Sequence, residues 1–123
     1  MKLYGITTCD TVRKARKALK EHGIDYTFVD MRKTPVECET IDRWLAHVSI
    51  EVLFNKRGTT YRKLGFKEKN LDAAEMREWL CKENTLIKRP VIETDDGEVI
   101  VGFDAGRYST LNDRIRLTAE ASS

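Results

Sequence analysis

Residues 2–30 contain the feature that most restricts the fold of this chain. The apolar segment KLYGI predicts a β-strand, and apolar residues then recur at helical spacing from Thr11 to His22. Gly23 is a typical residue to end that helix, and the alternating segment DYTFVD predicts a second strand. This short succession of strand, helix and strand indicates a βαβ unit, in which a helix joins two parallel strands.

The middle of the chain predicts helices instead of strands. The segment TPVE at 34–37 matches a capping box with Thr34 as the cap, and it predicts a helix that runs to about His47. A basic loop, NKRGTTYRKLG, follows it. The segment NLDAAEMREWL then predicts another helix, capped by Asp72 with Glu75 at its third position.

The last third of the sequence predicts strands again. PVIET and EVIVGF are rich in β-branched residues, and the Asp96–Gly97 pair between them is typical of a hairpin turn. A final helix is predicted to begin at Asp104. Its apolar face contains Tyr108, Leu111 and Ile115.

The order β-α-β, helical insertion, β-β-α is that of an α/β protein with a thioredoxin-like fold. The length of 123 residues fits one domain. We therefore expect a single domain over residues 1–118, with the helical insertion at about 34–85 and a flexible tail at 119–123.

Composition and charge exclude several classes of function. The net charge of +2 is too small for nucleic-acid binding by overall charge, so any cationic function must be local. The sequence has no apolar run of about 18 residues, which predicts no membrane helix, and no apolar stretch of signal-peptide length. The three cysteines have no spacing typical of a disulfide or zinc framework. We expect a monomer of the reducing cytoplasm with no metal, membrane or direct nucleic-acid partner.

Cys9 lies where the first strand meets the first helix, which is where such folds bind ligands. A thiol attacks only as the thiolate, and the unpaired N–H groups of a helix N-terminus stabilise that anion. Cys9 faces those groups whether Thr8 or Asp10 caps the helix. The alternative is a small buried residue at a strand end. We interpret Cys38 and Cys81 in that second way, because neither shares a pattern with Cys9.

Several known cysteine chemistries do not fit the residues around Cys9. A redox dithiol needs C-x-x-C, but position 12 is Val12. A phosphate-loop phosphatase needs an arginine six residues after the cysteine, and that position is Ala15. His22 lies about 20 Å further along the helix, too far to be a base. The remaining scheme is a monothiol whose second thiol comes from another molecule.

Two arginines stand out from the charged surface. Arg57 precedes a glycine in the basic loop, and Arg89 directly precedes Pro90 at the start of the third strand. A planar guanidinium binds oxyanions and carboxylates through two hydrogen bonds. Both arginines are also compatible with a solvated charged surface. A cis Arg89–Pro90 bond would explain a proline at the start of a central strand.

Three segments together resemble one protein family. YGITTCDTVRKARKAL, NKRGTTYRKL and LIKRPVIE…VIVGF, in this order and spacing, are similar to the arsenate reductase/Spx (ArsC-like) family. The nearest branch is the YffB type, whose members carry CDT in place of C-x-x-C. The resemblance covers about residues 1–117, and it implies a thioredoxin fold with a cis-proline at Pro90.

The resemblance also implies functional residues. In the glutathione/glutaredoxin-dependent arsenate reductases one cysteine attacks arsenate, and Cys9 matches it. Three arginines of that family bind the oxyanion; Arg57 and Arg89 match two of them, but the third position is Gly102 here. The full set of predicted anion-binding residues is Arg57, Arg89, Thr8, Asp10 and Thr11.

Three functions remain open at this point. The first is a glutathione-dependent monothiol reductase with Cys9 as nucleophile, glutathione as co-substrate, glutaredoxin as a further partner and no bound cofactor. The second is an Spx-like regulator that binds RNA polymerase without a redox switch. The third is a thioredoxin-fold protein that binds glutathione without turnover. Gly102 argues against efficient arsenate reduction, and the missing C-x-x-C argues against redox-regulated transcription.

Overall fold

A computed structural model describes residues 1–111 of the chain and contains one four-stranded mixed sheet. Its strands are β1 (Lys2–Gly5), β2 (Thr27–Asp30), β3 (Val91–Glu93) and β4 (Val99–Val101). The spatial order is β2-β1-β3-β4, with β1 parallel to β2 and antiparallel to β3, and with β3 antiparallel to β4. The predicted βαβ unit and the hairpin are therefore both confirmed.

The four helices predicted from the sequence are present in the predicted order, together with two short helices of the insertion that were not predicted. They are α1 (Asp10–Glu21), α2 (Cys38–Leu45), α3 (Ile50–Leu53), α4 (Thr59–Lys63), α5 (Ala73–Lys82) and α6 at 105–111, with single 3-10 turns at Phe66–Glu68 and Asn84–Leu86. Helix α1 joins β1 to β2, and α2 to α5 form the insertion between β2 and β3. This confirms the thioredoxin-like fold class.

Two hydrophobic clusters cover the two faces of the sheet, because successive residues of a strand point to opposite sides. One face packs against α1 and α6, through Leu3, Val12, Ala15, Leu19, Ile92, Ile100, Tyr108 and Leu111. The other face packs against the insertion, through Tyr4, Ile41, Trp44, Leu53, Met76, Leu80, Val91 and Val99. The insertion therefore lies on the opposite side of the sheet from α1.

The second helix begins later than its sequence predicts. Helix α2 starts at Cys38 with Glu37 as the N-cap, so the predicted capping box at Thr34 is wrong. Val36 is buried, and its N–H donates to Oδ1 of Asn84 at 2.7 Å. This long-range bond ties the chain just ahead of α2 to the end of the insertion.

Two other parts of the insertion can be compared with their predictions. The basic segment predicted as a loop contains the short helix α4. The capping box of α5 is confirmed, since Oδ1 of Asp72 accepts the N–H of Glu75 and the Glu75 side chain accepts the N–H of Asp72. A capping box satisfies two donors that the helix itself leaves unpaired.

The interpretation of two cysteines was wrong. Cys38 and Cys81 are not separate buried thiols but form a disulfide, with their Cα atoms 5.2 Å apart and a separation of 43 positions in sequence. Both side chains are half-buried. No local pattern shows such a contact, because it depends on how α2 and α5 pack together.

Some predictions fall on residues that the structure does not describe. The domain boundary at 118, the tail at 119–123 and the apolar residue Ile115 all lie outside residues 1–111. Within residues 1–111, no helix is long and apolar enough to cross a membrane.

Candidate functional site

Cys9 is itself the N-cap of α1. Its backbone is extended, and its carbonyl accepts the N–H of Arg13 at 3.0 Å, but its side chain makes no capping hydrogen bond. Cys9 is half-buried and is the free cysteine of the described residues. The first N–H groups of α1 therefore have no side-chain cap, and they favour a negative charge at this end of the helix.

The Cys9 residue borders an open cleft of about 460 Å³, called here the Cys9 cleft. Its lining combines the start of α1, the end of the insertion and the turn after β4. The lining residues are Cys9, Thr11, Asn55, Lys88, Arg89, Val101, Gly102, Phe103 and Asp104. Asp104 is the acidic residue of this set, and its Oδ1 already accepts the N–H of Arg107 at 3.1 Å.

Two short segments that pair antiparallel place part of the insertion against the cleft. Phe54 and Ile87 form an antiparallel bridge. The N–H of Asn55 donates to the carbonyl of Leu86 at 2.7 Å, and the N–H of Lys88 donates to the carbonyl of Leu53 at 2.8 Å. These bonds hold Asn55 beside the segment that contains Lys88 and leads into β3.

Arg89 lines the Cys9 cleft and contacts the end of the insertion. The peptide bond between Arg89 and Pro90 is cis, as the resemblance implies. Nη1 of Arg89 donates to the carbonyl of Thr85 at 2.9 Å, whereas its Nε is buried without a hydrogen-bond partner in residues 1–111. An unpaired buried donor costs about 1–3 kcal/mol, which an anion bound beside it would recover.

Lys88 supplies a cation where the resemblance leads one to look for an arginine. Gly102 has a φ of +82°, and a Cβ built there would lie 3.2 Å from Cε and 3.7 Å from Nζ of Lys88. The ammonium of Lys88 therefore lies in the space that a side chain at 102 would enter. In the described part of the chain it has no ion-pair partner.

The turn at Gly102 is fixed from two sides. Its N–H donates to the carbonyl of Pro90 at 2.7 Å, and its carbonyl accepts the hydroxyl of Tyr108 at 3.1 Å. Burial raises the pKa of Tyr108 above its usual value, so the hydroxyl keeps the proton that it donates. A side chain at 102 would strain this backbone, since L-residues rarely adopt such a φ.

The structure brings together only some of the predicted anion-binding residues. Thr11 and Arg89 line the Cys9 cleft, but Arg57, Thr8 and Asp10 do not. Arg57 is exposed, and its N–H bonds to Oδ1 of Asn55 at 3.1 Å. The carboxylate of Asp10 forms an ion pair with Arg13.

Lys88 and Asn55 were not predicted as site residues. Lys88 stands directly before Arg89, and this pair of basic residues ahead of Pro90 is the signal that could have indicated it. Asn55 opens the basic segment, but nothing local shows that its backbone pairs with Leu86.

Together, the fold and the cleft define a thioredoxin-like α/β protein with a free thiol at a helix N-terminus. The family model of the ArsC family matches residues 4–111. This chain therefore belongs to the ArsC family, as its sequence motifs indicated.

Individual relatives agree with this assignment. The solved structure of an arsenate reductase (ArsC) related protein from Brucella melitensis is 46% identical, with a TM-score of 0.71 over 89% of this chain and 91% of that one. The solved YFFB protein is 38% identical, with a TM-score of 0.81 over 89% of this chain and 96% of that one. The global transcriptional regulator Spx of Listeria innocua is 28% identical, over 83% of this chain and 79% of Spx.

Proposed function

We propose that this protein is a glutathione-dependent monothiol reductase with Cys9 as its nucleophile. The observation that supports this most is the free thiol at the N-cap of α1, in a cleft that also contains Lys88 and Arg89. A thiol beside helix N–H groups and cations is arranged to carry negative charge, both when it attacks and when it leaves.

The reaction is two successive thiol–disulfide exchanges. The Cys9 thiolate attacks the glutathione sulfur of a mixed disulfide, which forms a Cys9–glutathione bond and releases the substrate thiolate to take up a proton. A second glutathione, as its thiolate, then attacks the glutathione sulfur of that adduct. Oxidised glutathione leaves and the Cys9 thiolate is regenerated. One reduced glutathione is therefore consumed for each substrate thiol released, and the other half of the oxidised glutathione comes from the mixed disulfide.

The cations of the cleft suit the carboxylates of glutathione. The guanidinium of Arg89 has an unpartnered Nε and can form paired hydrogen bonds with a carboxylate. The ammonium of Lys88 is a single-point contact. Arg57, Thr8 and Asp10 remain predicted contacts, and for Arg57 this requires its exposed side chain to turn towards bound ligand.

The proposed exchange reaction determines which partners the protein needs. Glutathione is the co-substrate, glutaredoxin is a second reductant able to resolve the Cys9 adduct, and no bound cofactor is needed. A reducing cytoplasm would supply both partners.

The direct test is coupled turnover of a small glutathione mixed disulfide, with glutathione reductase regenerating glutathione. We expect turnover by the wild-type protein and none by a Cys9→Ser variant with unchanged circular dichroism. Equal rates for the two proteins would reject the enzyme function and leave the other two possibilities, a regulator that binds RNA polymerase and glutathione binding without turnover.

The relationship to Spx supports a second candidate, a regulator that binds RNA polymerase. The two candidates differ in their need for the thiol. Retention of RNA polymerase by both the wild-type protein and Cys9→Ser, without disulfide turnover, would favour the regulator.

For arsenate we expect weak turnover or none. Reduction of arsenate takes two electrons from two thiols and releases water, and it requires a tightly held oxyanion. A missing charge-assisted hydrogen bond costs about 1.5–3 kcal/mol, or roughly 10- to 150-fold in affinity. A Lys88→Arg variant should increase arsenate turnover, because a guanidinium holds two oxygens where the ammonium holds one.

The assay couples arsenate reduction to glutathione and glutaredoxin. Gly102→Arg is unsuitable for it, because the positive φ at 102 would strain any side chain. Strong arsenate turnover by the wild-type protein would show that Lys88 fully replaces an arginine at that position.

A Lys88→Met variant should react about tenfold more slowly with oxidised glutathione, since it loses one charged contact worth roughly 1.4 kcal/mol at this exposed position. The rate is measured from the appearance of the glutathione adduct in intact-mass spectra. Lys17→Met is the matched control, because Lys17 is also exposed but lies on α1 about 12 Å from Cys9 along the axis. An equal loss in both variants would mean that only overall charge matters.

A further inference from the structure

We propose that Cys38 and Cys81 form a second thiol–disulfide exchange site, reached through its own basic cleft. Their Cα atoms are 5.2 Å apart, within the range of about 4.4–6.8 Å over which a disulfide forms without moving the backbone. The pair joins the first residue of α2 to the last turn of α5. This proposal does not depend on the reactivity of Cys9.

The rest of the fold holds the two cysteines together without the bond. Ile41 of α2 and Leu80 of α5 are fully buried in the same hydrophobic cluster. Across the same helix pair, Nη2 of Arg77 lies 2.7 Å from Oδ2 of Asp42, and its Nε donates to Oδ1 at 3.0 Å. The sulfurs should therefore stay neighbours after reduction, so that the bond can form again.

The Cys81 residue can be reached by small molecules. Both cysteines are half-buried, and Cys81 lines an open cleft of about 250 Å³, called here the Cys81 cleft. This cleft is separate from the Cys9 cleft, although Arg89 borders both. A disulfide that borders an open cleft is more accessible to small thiols than one that is fully buried.

The charges of the Cys81 cleft indicate which small molecule it would accept. Three basic residues, Arg32, Lys82 and Arg89, line it. Its acidic residue is Glu83, whose carboxylate accepts the hydroxyl of Thr85 at 2.7 Å. A cleft with this balance favours a disulfide that carries carboxylates, and oxidised glutathione is the available representative of that class.

The reaction balances as two exchanges. The Cys81 thiolate attacks one sulfur of oxidised glutathione, which gives a Cys81–glutathione adduct and a glutathione thiolate. The Cys38 thiolate then attacks the Cys81 sulfur, which forms the Cys38–Cys81 bond and expels the second glutathione thiolate. The two protons of the cysteines go to the two glutathiones, and the reverse sequence reduces the pair.

The test uses full-length Cys9→Ser protein, so that only this pair can react. The reduced protein is incubated in buffers with different ratios of reduced to oxidised glutathione. Its free thiols are then blocked with N-ethylmaleimide, and the mass of the intact protein is measured by mass spectrometry. We expect the pair to close as oxidised glutathione increases and to reopen when reduced glutathione is restored. A folded protein whose pair does not respond to this ratio would overturn the proposal.

Two further variants identify the attacked cysteine. In Cys9→Ser/Cys38→Ser the Cys81 adduct has no partner to resolve it, so one glutathione should accumulate. Cys9→Ser/Cys81→Ser should acquire its adduct several times more slowly. Equal rates would contradict attack through the Cys81 cleft, and the single Cys9→Ser titration decides reversibility even if a double variant does not fold.

A variant that removes two positive charges tests whether the Cys81 cleft recognises anionic disulfides. Arg32→Gln/Lys82→Gln in the Cys9→Ser background should slow oxidation by about 3- to 10-fold at low ionic strength. The control is Lys17→Gln/Lys20→Gln on α1, which removes equal charge elsewhere. Equal slowing in the two variants would show that the cleft does not select anionic disulfides.

Discussion

Replacing Cys9 with serine is expected to abolish thiol chemistry in the Cys9 cleft and to stabilise the fold at the same time. A serine hydroxyl is not ionised near neutral pH, so turnover should fall by at least about a thousandfold, as it does when other enzymes lose their nucleophile. The stability gain follows from the position of Cys9 as an N-cap without a side-chain bond. Serine is a preferred N-cap, and its hydroxyl can accept an N–H of Thr11 or Val12.

A Cys9→Ala variant is the matched control. Alanine removes the thiol equally but cannot cap, and exchanging serine for alanine at an N-cap costs about 0.5–2 kcal/mol. The two variants should therefore be equally inactive, while Cys9→Ser has the higher free energy of unfolding in urea. If Cys9→Ser keeps measurable turnover, or if it is no more stable than Cys9→Ala, Cys9 does not have the role or the capping geometry assigned to it.

Such a pair of results would explain why a weak N-cap is present at this helix. A thiol at this position leaves helix donors without a side-chain cap, which costs stability but keeps them free to stabilise a Cys9 thiolate. Functional positions often retain residues that are not optimal for stability.

The second large effect is expected from Glu93→Ala. Oε1 of Glu93 accepts Nε1 of Trp44 at 2.8 Å and Nη2 of Arg43 at 2.8 Å, and the Glu93 side chain is only 18% exposed. Trp44 is fully buried, so the alanine variant leaves its indole N–H without an acceptor. We expect a loss of about 2–4 kcal/mol in the free energy of unfolding.

Arg43→Ala is the control for this prediction. It removes only the half-exposed partner and should cost about 1 kcal/mol or less. Urea unfolding of both variants gives the comparison. A smaller loss for Glu93→Ala than for Arg43→Ala would show that the ion pair, and not the indole bond, stabilises this contact.

The same carboxylate makes stability depend on pH. Burial alone would raise the pKa of Glu93, but hydrogen bonds from Arg43, Trp44 and Tyr4 outweigh it and lower the pKa below its usual 4.5. The folded protein therefore binds the Glu93 proton less readily than the unfolded chain. Its contribution to stability is present above pH 4.5 and is lost as the pH falls through the lower folded value. Glu93→Gln should flatten this acid-side decline in the urea midpoint.

Local patterns were enough to predict the order of helices and strands. The period of apolar residues in α1, the cap at Asp72 and the turn at Asp96–Gly97 each arise from neighbours in sequence. The start of α2 could not be predicted in this way, because the chain before it bonds to Asn84, 48 residues from Val36. A competing local signal at Thr34 gave the wrong start.

The residues of the candidate site also differ in whether a local sequence pattern predicts them. Cys9 and Arg89 could be found because each is next to a local signal, a strand–helix junction and a proline. Lys88 could not, since its importance depends on the backbone conformation of Gly102, a residue from another strand end. The Cys38–Cys81 bond depends in the same way on the packing of two helices.

The most direct test of the central claim is to follow glutathione on Cys9 itself. Reduced wild-type protein is mixed with oxidised glutathione and sampled over time. The intact mass of each sample is measured by mass spectrometry, and proteolytic digestion then locates the adduct. We predict one glutathione on Cys9 that forms at neutral pH and is removed by reduced glutathione. A protein in which Cys9 stays unmodified, while glutathione appears only at Cys38 or Cys81, would contradict the account.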